Sequence, residues 1–575
     1  MKYFNRMKKV YLFLIVSILG LSCDDSPESA DLVLMNGKIL TMNPNQSEVS
    51  ALASKGDRIL ALGSDDDINK LVGENTKIID LQGRLATPGL IEGHGHYMRL
   101  GHTLMHLDLR YAKSWDEIIA MVSDAVSVSE PGEWILGWGW HQDKWDSPPI
   151  PSYEGLPIHH SLSSVSPKNP VMLSHTSGHG EYINAKAMQM AGILPETSNP
   201  AGGEIVRDQS GNPIGMLRES AAQLIDVVYE EYERNLSAED LEKQHRRQVA
   251  LAGQEALENG ITSFQDMGSS FEEVALLKTM AEEGNLPVRM YMAIHDPAEI
   301  MEEKLEEFRM VGYGNNFLTN RCIGEKVLDG ALGTHGGWLL EPYVDLPHTS
   351  GLNVTPVSEI ERSAELAVKH DYQMAIQGIG DKATRVLLDI YEKTFDENPD
   401  KGDWRWRIEH AQVIHPDDLT RFKELDVIAG IQGVFACSDG PWVATRLGAM
   451  RTRERGYLWR TMIDKGIRVM NGTDPPVEDI DPIASFHCSV TRVLGDGSVF
   501  APEQRITRQQ ALKSYTIDNA YAAFEEDLKG SLEVGKLADI TVFSKDIMTI
   551  PDTEIPSTEI LYTILGGEVK YENEN

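Results

Sequence analysis

The chain has 575 residues, 41% of them hydrophobic and 25% charged, with 49 glycines and 27 prolines scattered along it. This excludes collagen-like, long disordered and polytopic membrane classes and leaves a folded chain of several domains. Lys and Arg number 53 against 88 Asp and Glu, and the net charge of -35 repels phosphate backbones, so nucleic acid is not expected as a partner and a small molecule is.

Lys2, Arg6, Lys8 and Lys9 precede an apolar run from Val10 to Leu21. That run is shorter than the roughly 20 apolar residues of a membrane-spanning helix, so residues 1–22 are read as a signal peptide. Leu19-Gly20-Leu21-Ser22-Cys23 resembles the lipobox of bacterial lipoproteins, with Gly20 where a larger aliphatic residue is usual. Cys23 would carry the lipid and residues 23–30 a tether, which implies export, anchoring to the cell envelope and membrane contact through the lipid alone. Cleavage without lipidation and an uncleaved anchor stay open. Cys322, Cys437 and Cys488 follow without any C-x-x-C spacing. Export would permit one bridge, but the spacing does not choose a pair.

Next come short apolar runs punctuated by Asn-Gly or Gly turns, from Asp31 to about Gln82, and the same texture returns from Gly530 to Gly567. Residues 31–87 and 532–575 are therefore expected to form one small composite β-sandwich. Between them, strand-like runs alternate with helical stretches, the pattern of a parallel β/α architecture. Eight candidate strands are Leu90 to Gly93, Ile261 to Gln265, Val288 to Ile294, Ile323 to Leu328, Gln373 to Gln377, Trp406 to Ile408, Val427 to Ile431 and Ile467 to Asn471. The expected class is α/β, a (β/α)8 barrel over residues 88–531. An insertion at about 134–235, rich in Trp, His and Pro, is expected to cover the catalytic face.

In such a barrel the carboxyl ends of the strands converge on one site. The first strand ends in Gly93-His94-Gly95-His96, and residues two apart on a strand share a side, so two imidazoles can meet one metal. The sixth ends in Glu409-His410, and the eighth runs into Gly472-Thr473-Asp474.

These stretches, Pro88 to His96, Arg407 to Gln412, Asn471 to Asp474 and Gly530 to Asp539, resemble the amidohydrolase superfamily, and within it the amidohydrolase-3 or YtcJ-like branch. The resemblance spans about residues 31 to 570. It implies a metal-bearing barrel and hydrolysis of a non-peptide C–N bond, an amide or N-acyl bond. Its metal ligands fall on His94, His96, Lys326 and His410, and its catalytic acid on Asp474. Lys326 matches a lysine that can take up CO2 as a carbamate, an anionic oxygen ligand; an ammonium paired with a carboxylate is the alternative. Zinc is the default among divalent ions, with one or two bound.

The family commonly has His-Ala-Ile-Gly-Asp at the end of the fifth strand, whereas this chain has Gln377-Gly378-Ile379-Gly380-Asp381. A carboxamide is a weaker zinc ligand than imidazole, so Gln377 is expected to hydrogen-bond the substrate or the metal-bound water, and the second metal is in doubt. In the insertion, His179 is expected to contact substrate or an oxyanion. Trp140 is a candidate for an apolar wall of the substrate pocket, although ordinary packing of the insertion is the favoured reading of its Trp cluster. Asp266 and Asp381 are read as loop organisers, and Glu409 as a partner orienting His410 or as facing away, and not as a metal ligand. Metal-activated water would attack the carbonyl while Asp474 takes up a proton and returns it to the departing nitrogen. A binding module that has lost turnover and a ring deaminase are the rival readings. Homo-oligomerisation is left open.

Overall fold

The computed structural model describes residues 29–142, 145–175, 180–200 and 203–573. The signal peptide, Cys23 and His179 lie outside the described residues. The eight expected strands form one parallel sheet, labelled β1 (Leu90–Gly95), β2 (Ile261–Ser269), β3 (Arg289–Ile294), β4 (Leu318–Val327), β5 (Gln373–Gly378), β6 (Arg407–His410), β7 (Ile428–Gln432) and β8 (Val469–Gly472). Each pairs with its neighbour in chain order, so the barrel expectation is met. Strands covered on both faces need no polar alternation, which is why Arg289-Met-Tyr-Met-Ala-Ile and Ile428-Ala-Gly-Ile-Gln are buried throughout.

Helices such as Phe271–Glu283, Val357–His370, Asp381–Glu397 and Pro416–Glu424 return the chain outside the sheet. The first starts at a capping box of Ser270 and Glu273 and stops at Gly284 in a left-handed conformation. Their inward residues, among them Val274, Leu277, Leu387 and Phe422, pack against the outer face of the strands in the main hydrophobic core.

Between β8 and β1 no ladder forms among the described residues, and side chains close the seam instead. Thr473 donates from N (2.7 Å) and Oγ1 (2.9 Å) to the Glu92 carboxylate. Asn519 donates to Ile91 O (2.7 Å) and Asn471 O (2.8 Å). The strands approach so closely that a Cβ on Gly93 would lie 2.4 Å from Asn471 O, and one on Gly472 2.3 Å from Glu92 Oε1. Only glycine fits at either position.

Strands from both ends of the chain share a second sheet: Leu85–Pro88 pairs antiparallel with Ile540–Phe543, and Ile560–Leu565 and Glu568–Glu572 follow. A four-stranded sheet of N-terminal residues packs on it through Leu34, Leu52, Ala86, Val542 and Ile564. Arg289 at the start of β3 joins this unit to the barrel, donating from Nε (2.8 Å) and Nη2 (3.0 Å) to a buried Asp539.

The inserted six-stranded sheet begins at Leu107–Asp108, ahead of the expected Trp134. Its own core includes Ile118, Val122, Trp140, Leu173, Tyr182 and Ile214. A two-residue strand carries no periodicity, which is why the sequence shows the aromatic stretch and not the boundary. Arg110 of this unit reaches Asp479 in the loop after β8 (3.5 Å), which places the insertion beside the strand ends. A disulfide joins Cys437, in the turn after β7, to Cys488 in the helix Pro482–Thr491, and leaves Cys322 free and buried.

Candidate metal centre

His94 and His96 project from the end of β1 as their spacing predicts, with His94 fully buried and His96 the member that reaches solvent, its side chain 22% exposed. His410 and Asp474 reach the same point through backbone turned left-handed, φ +66° and +60°. Non-glycine residues in that region cost of order 1–3 kcal/mol each and collect at functional sites. The turn redirects His410, which follows two interior-facing residues spaced two apart, Arg407 and Glu409.

On the fourth strand the side chain that faces the histidines is Glu325. The register of β4 against β5 slips between Gly324 and Lys326, so one extra residue is accommodated and Glu325 is turned into the barrel. Its carboxylate lies 3.1 Å from His410 Nε2 and 3.7 Å from His94 Nε2. This corrects the expectation for Lys326, whose ammonium points the other way, donating to Asp296 O and Glu359 Oε1, both at 2.9 Å. The sequence carries one faint sign, Gly324 inside a strand, which often marks a bulge.

Two overlapping donor triads result, His94–His96–Glu325 and His94–His410–Asp474, each with its ligand atoms within 4.8 Å of one another. Asp474 Oδ1 is 3.2 Å from His96 Nε2 and 3.6 Å from His94 Nε2. His94 Nε2, Glu325 Oε1 and Asp474 Oδ1 are buried with no hydrogen-bond partner. Buried polar atoms without partners are costly, and three converging on one spot are satisfied together by a cation. The residues therefore fit a divalent metal.

The surrounding groups prepare the donors. His410 Nδ1–H donates to Gln432 Oε1 (2.8 Å), leaving Nε2 to face the centre. His94 Nδ1–H meets Glu409 Oε2 at 2.7 Å, so Glu409 orients His94 and not His410 as the sequence suggested. Burial alone would raise the Glu409 carboxyl, but Arg407 and His94 hold it at about 2. Burial disfavours imidazolium at His410, yet the Glu325 carboxylate beside it and Asp474 lift its pKa to about 10. The cluster thus draws positive charge. Burial raises the Asp474 acid, and His96, His94 and His410 outweigh it and keep the pKa low.

Gln377 is buried at the end of β5 and turns its amide to the carbonyl of Asp329. Asp329 in turn accepts from Trp338 N (2.7 Å), Gly380 N (2.8 Å) and Ile379 N (3.0 Å), while burial pushes its carboxyl to about 7. Trp140 is fully buried in the core of the insertion, and its indole donates to Leu173 O (2.8 Å). That is ordinary packing of the insertion, the favoured reading, and not the candidate substrate wall. Asp266 accepts from Tyr97 N (2.6 Å) and Asp381 from Leu340 N (2.8 Å), both holding loops.

An eight-stranded barrel with histidines and acids at its carboxyl end, joined to a sheet shared by the chain termini, is the architecture of metal-dependent hydrolases. Residues 77–571 match the model of the amidohydrolase family, and the chain belongs to that family. It is 31% identical to the protein LONG AFTER FAR-RED 3 of Arabidopsis thaliana, over 94% of this chain and 92% of that one. It is 28% identical to the putative amidohydrolase YtcJ of Bacillus subtilis, over 93% and 98%. With the N-substituted formamide deformylase of Arthrobacter pascens it shares 24% identity over 94% and 98%. The crystal structure of an uncharacterised metal-dependent hydrolase from Pyrococcus furiosus superposes with a TM-score of 0.69 at 27% identity, covering 90% of this chain and all of that one.

Proposed function

We propose that this amidohydrolase-family protein cleaves an amide or N-acyl C–N bond in a small neutral or cationic molecule, at a single divalent cation held by His94, His96, Glu325 and His410. The observation that carries the reading is the convergence of unpartnered, buried ligand atoms at the carboxyl end of the barrel. When bound, the cation supplies Lewis-acid activation of water and of the scissile carbonyl. Zinc suits a set of three imidazoles and a carboxylate. One cation is favoured because β5 offers Gln377, whose amide is engaged by Asp329 O, where an imidazole would be needed for a second.

The chain's own groups then divide the proton work. Asp474 lies within 4 Å of two of the imidazoles and is kept ionised by them, so it can hold the proton lost by water. It returns that proton to the nitrogen, which otherwise departs as an unstable anion. Glu409 and Gln432 keep Nε2 of His94 and His410 aimed at the metal. A deformylase among the relatives supports the C–N bond, and the negative charge of the chain supports the uncharged or cationic substrate.

We further propose lipid attachment at Cys23 and an envelope location. The test of the catalytic reading is elemental mass spectrometry on protein starting at residue 29, purified without chelators, followed by amine release from a panel of N-formyl and N-acetyl amines. About one equivalent of metal is expected, with activity lost but metal kept in Asp474→Asn. No bound metal, or amine release indifferent to Asp474→Asn, overturns the proposal.

A further inference from the structure

The metal ligand His94 is gripped from behind by a buried chain of groups that begins at a different strand. Arg407 on β6 is fully buried. It donates from Nε to Glu409 Oε1 at 2.6 Å, from Nη1 to Gln265 Oε1 on β2 at 2.5 Å, and from Nη2 to Gly93 O on β1 at 3.0 Å. Gln265 is itself anchored, donating from Nε2 to Asn519 O at 2.8 Å. The guanidinium is planar and its donors have fixed directions, so three acceptors on three strands define its position completely.

Glu409 has one oxygen on Arg407 and the other on His94 Nδ1. Its carboxylate cannot rotate without breaking one of the two. Nor is there room to shift, since Gly430 on β7 comes so close that a Cβ there would lie 2.3 Å from Glu409 Oε2. The same guanidinium also holds the carbonyl of the residue before His94, so backbone and side chain of the ligand are fixed by one cation.

We propose that Arg407 is a positioning residue of the metal centre: by clamping Glu409 and Gly93 O it fixes the tautomer and direction of His94, and so sets metal affinity without touching the metal. This rests on the metal reading above. A carboxylate behind a metal-bound imidazole is worth about 10–100-fold in affinity. Control of that carboxylate lies with Arg407, two residues before it on the same strand. Lysine can replace the clamp only in part, because it keeps the charge but one ammonium cannot serve three acceptors in those directions.

The experiment measures zinc affinity by competition with a chromogenic chelator, and the visible absorption of cobalt-loaded protein, for the parent, Arg407→Met, Arg407→Lys, Glu409→Gln and the Arg407→Met/Glu409→Gln double variant. Arg407→Met and Glu409→Gln are each expected to weaken zinc about 10–100-fold and to alter the cobalt spectrum. The double variant should lose no more than about threefold beyond the weaker single one, since both act through one contact. Arg407→Lys should restore part of the affinity. If Arg407→Met does not fold, Arg407→Lys and Glu409→Gln carry the comparison. Zinc binding within threefold of the parent with an unchanged cobalt spectrum in these variants overturns the proposal, and so does a double variant whose losses multiply. A parent that binds no metal instead overturns the metal reading.

Discussion

Removing the Cys437–Cys488 disulfide is the sharpest test of how the catalytic rim is held. The bond closes a loop with a sequence separation of 51 residues that contains β8 and Asp474. One end lies two residues beyond Phe435, whose ring is parallel to that of His410 with centroids 6.1 Å apart. Loop-closure entropy for about 50 residues amounts to about 4 kcal/mol at 25 °C. Within the loop, Val443, Leu447, Tyr457, Trp459 and Phe486 are buried by contacts other than the bond, so the native fold should survive its loss. In guanidinium denaturation the Cys437→Ala/Cys488→Ala variant should lose about 2–4 kcal/mol through a lower midpoint. Phosphine reduction of the parent should reproduce the loss. Denatured, unreduced protein starting at residue 29 should show a single reactive thiol, that of Cys322. Three reactive thiols, or a variant within about 1 kcal/mol of the parent, would refute the reasoning.

Glu325→Gln should lose metal on dialysis while Lys326→Ala retains it, because the first removes a donor and the second only the pair with Glu359; elemental analysis showing the reverse would contradict the geometry of β4. Burial pushes Glu92 to about 8 and Glu181 to about 7, both above the ordinary value of 4.5. A raised carboxyl binds its proton more tightly in the folded state, so its contribution is complete below pH 4.5 and is lost as pH rises through the folded value. The melting temperature should therefore fall between pH 5 and 8, with a slope that Glu92→Gln reduces; a melting temperature that rises over that range would count against it. Asp539→Asn strips the counter-charge from a buried Arg289 and should cost about 3–5 kcal/mol, checked by denaturation, with a loss under about 1 kcal/mol contradicting a buried pair.

Much of the barrel was legible because its signals are local. Each strand is a short apolar run between turns, and all eight runs lie on observed strands. His94 and His96 followed from period-two alternation, and His410 and Asp474 from their places at strand ends. The composite sheet was legible from matching textures at the two ends of the chain, although only the fold pairs Leu85–Pro88 with Ile540–Phe543.

What the sequence could not decide depends on backbone direction and on contacts between distant residues. A single slipped register exchanges Lys326 for Glu325, because neighbours on a strand face opposite sides, and no composition rule announces the slip. Arg407, Gln265 and Gly93 meet only when β6, β2 and β1 curve round one axis. The disulfide partners, left open by spacing, are chosen by a Cα–Cα distance of 6.0 Å that the packing of the helix after β8 creates. The sequence by itself determined which residue types stand at the strand ends; the tertiary structure alone decided which of them face one another, because facing is a property of strand register and closure.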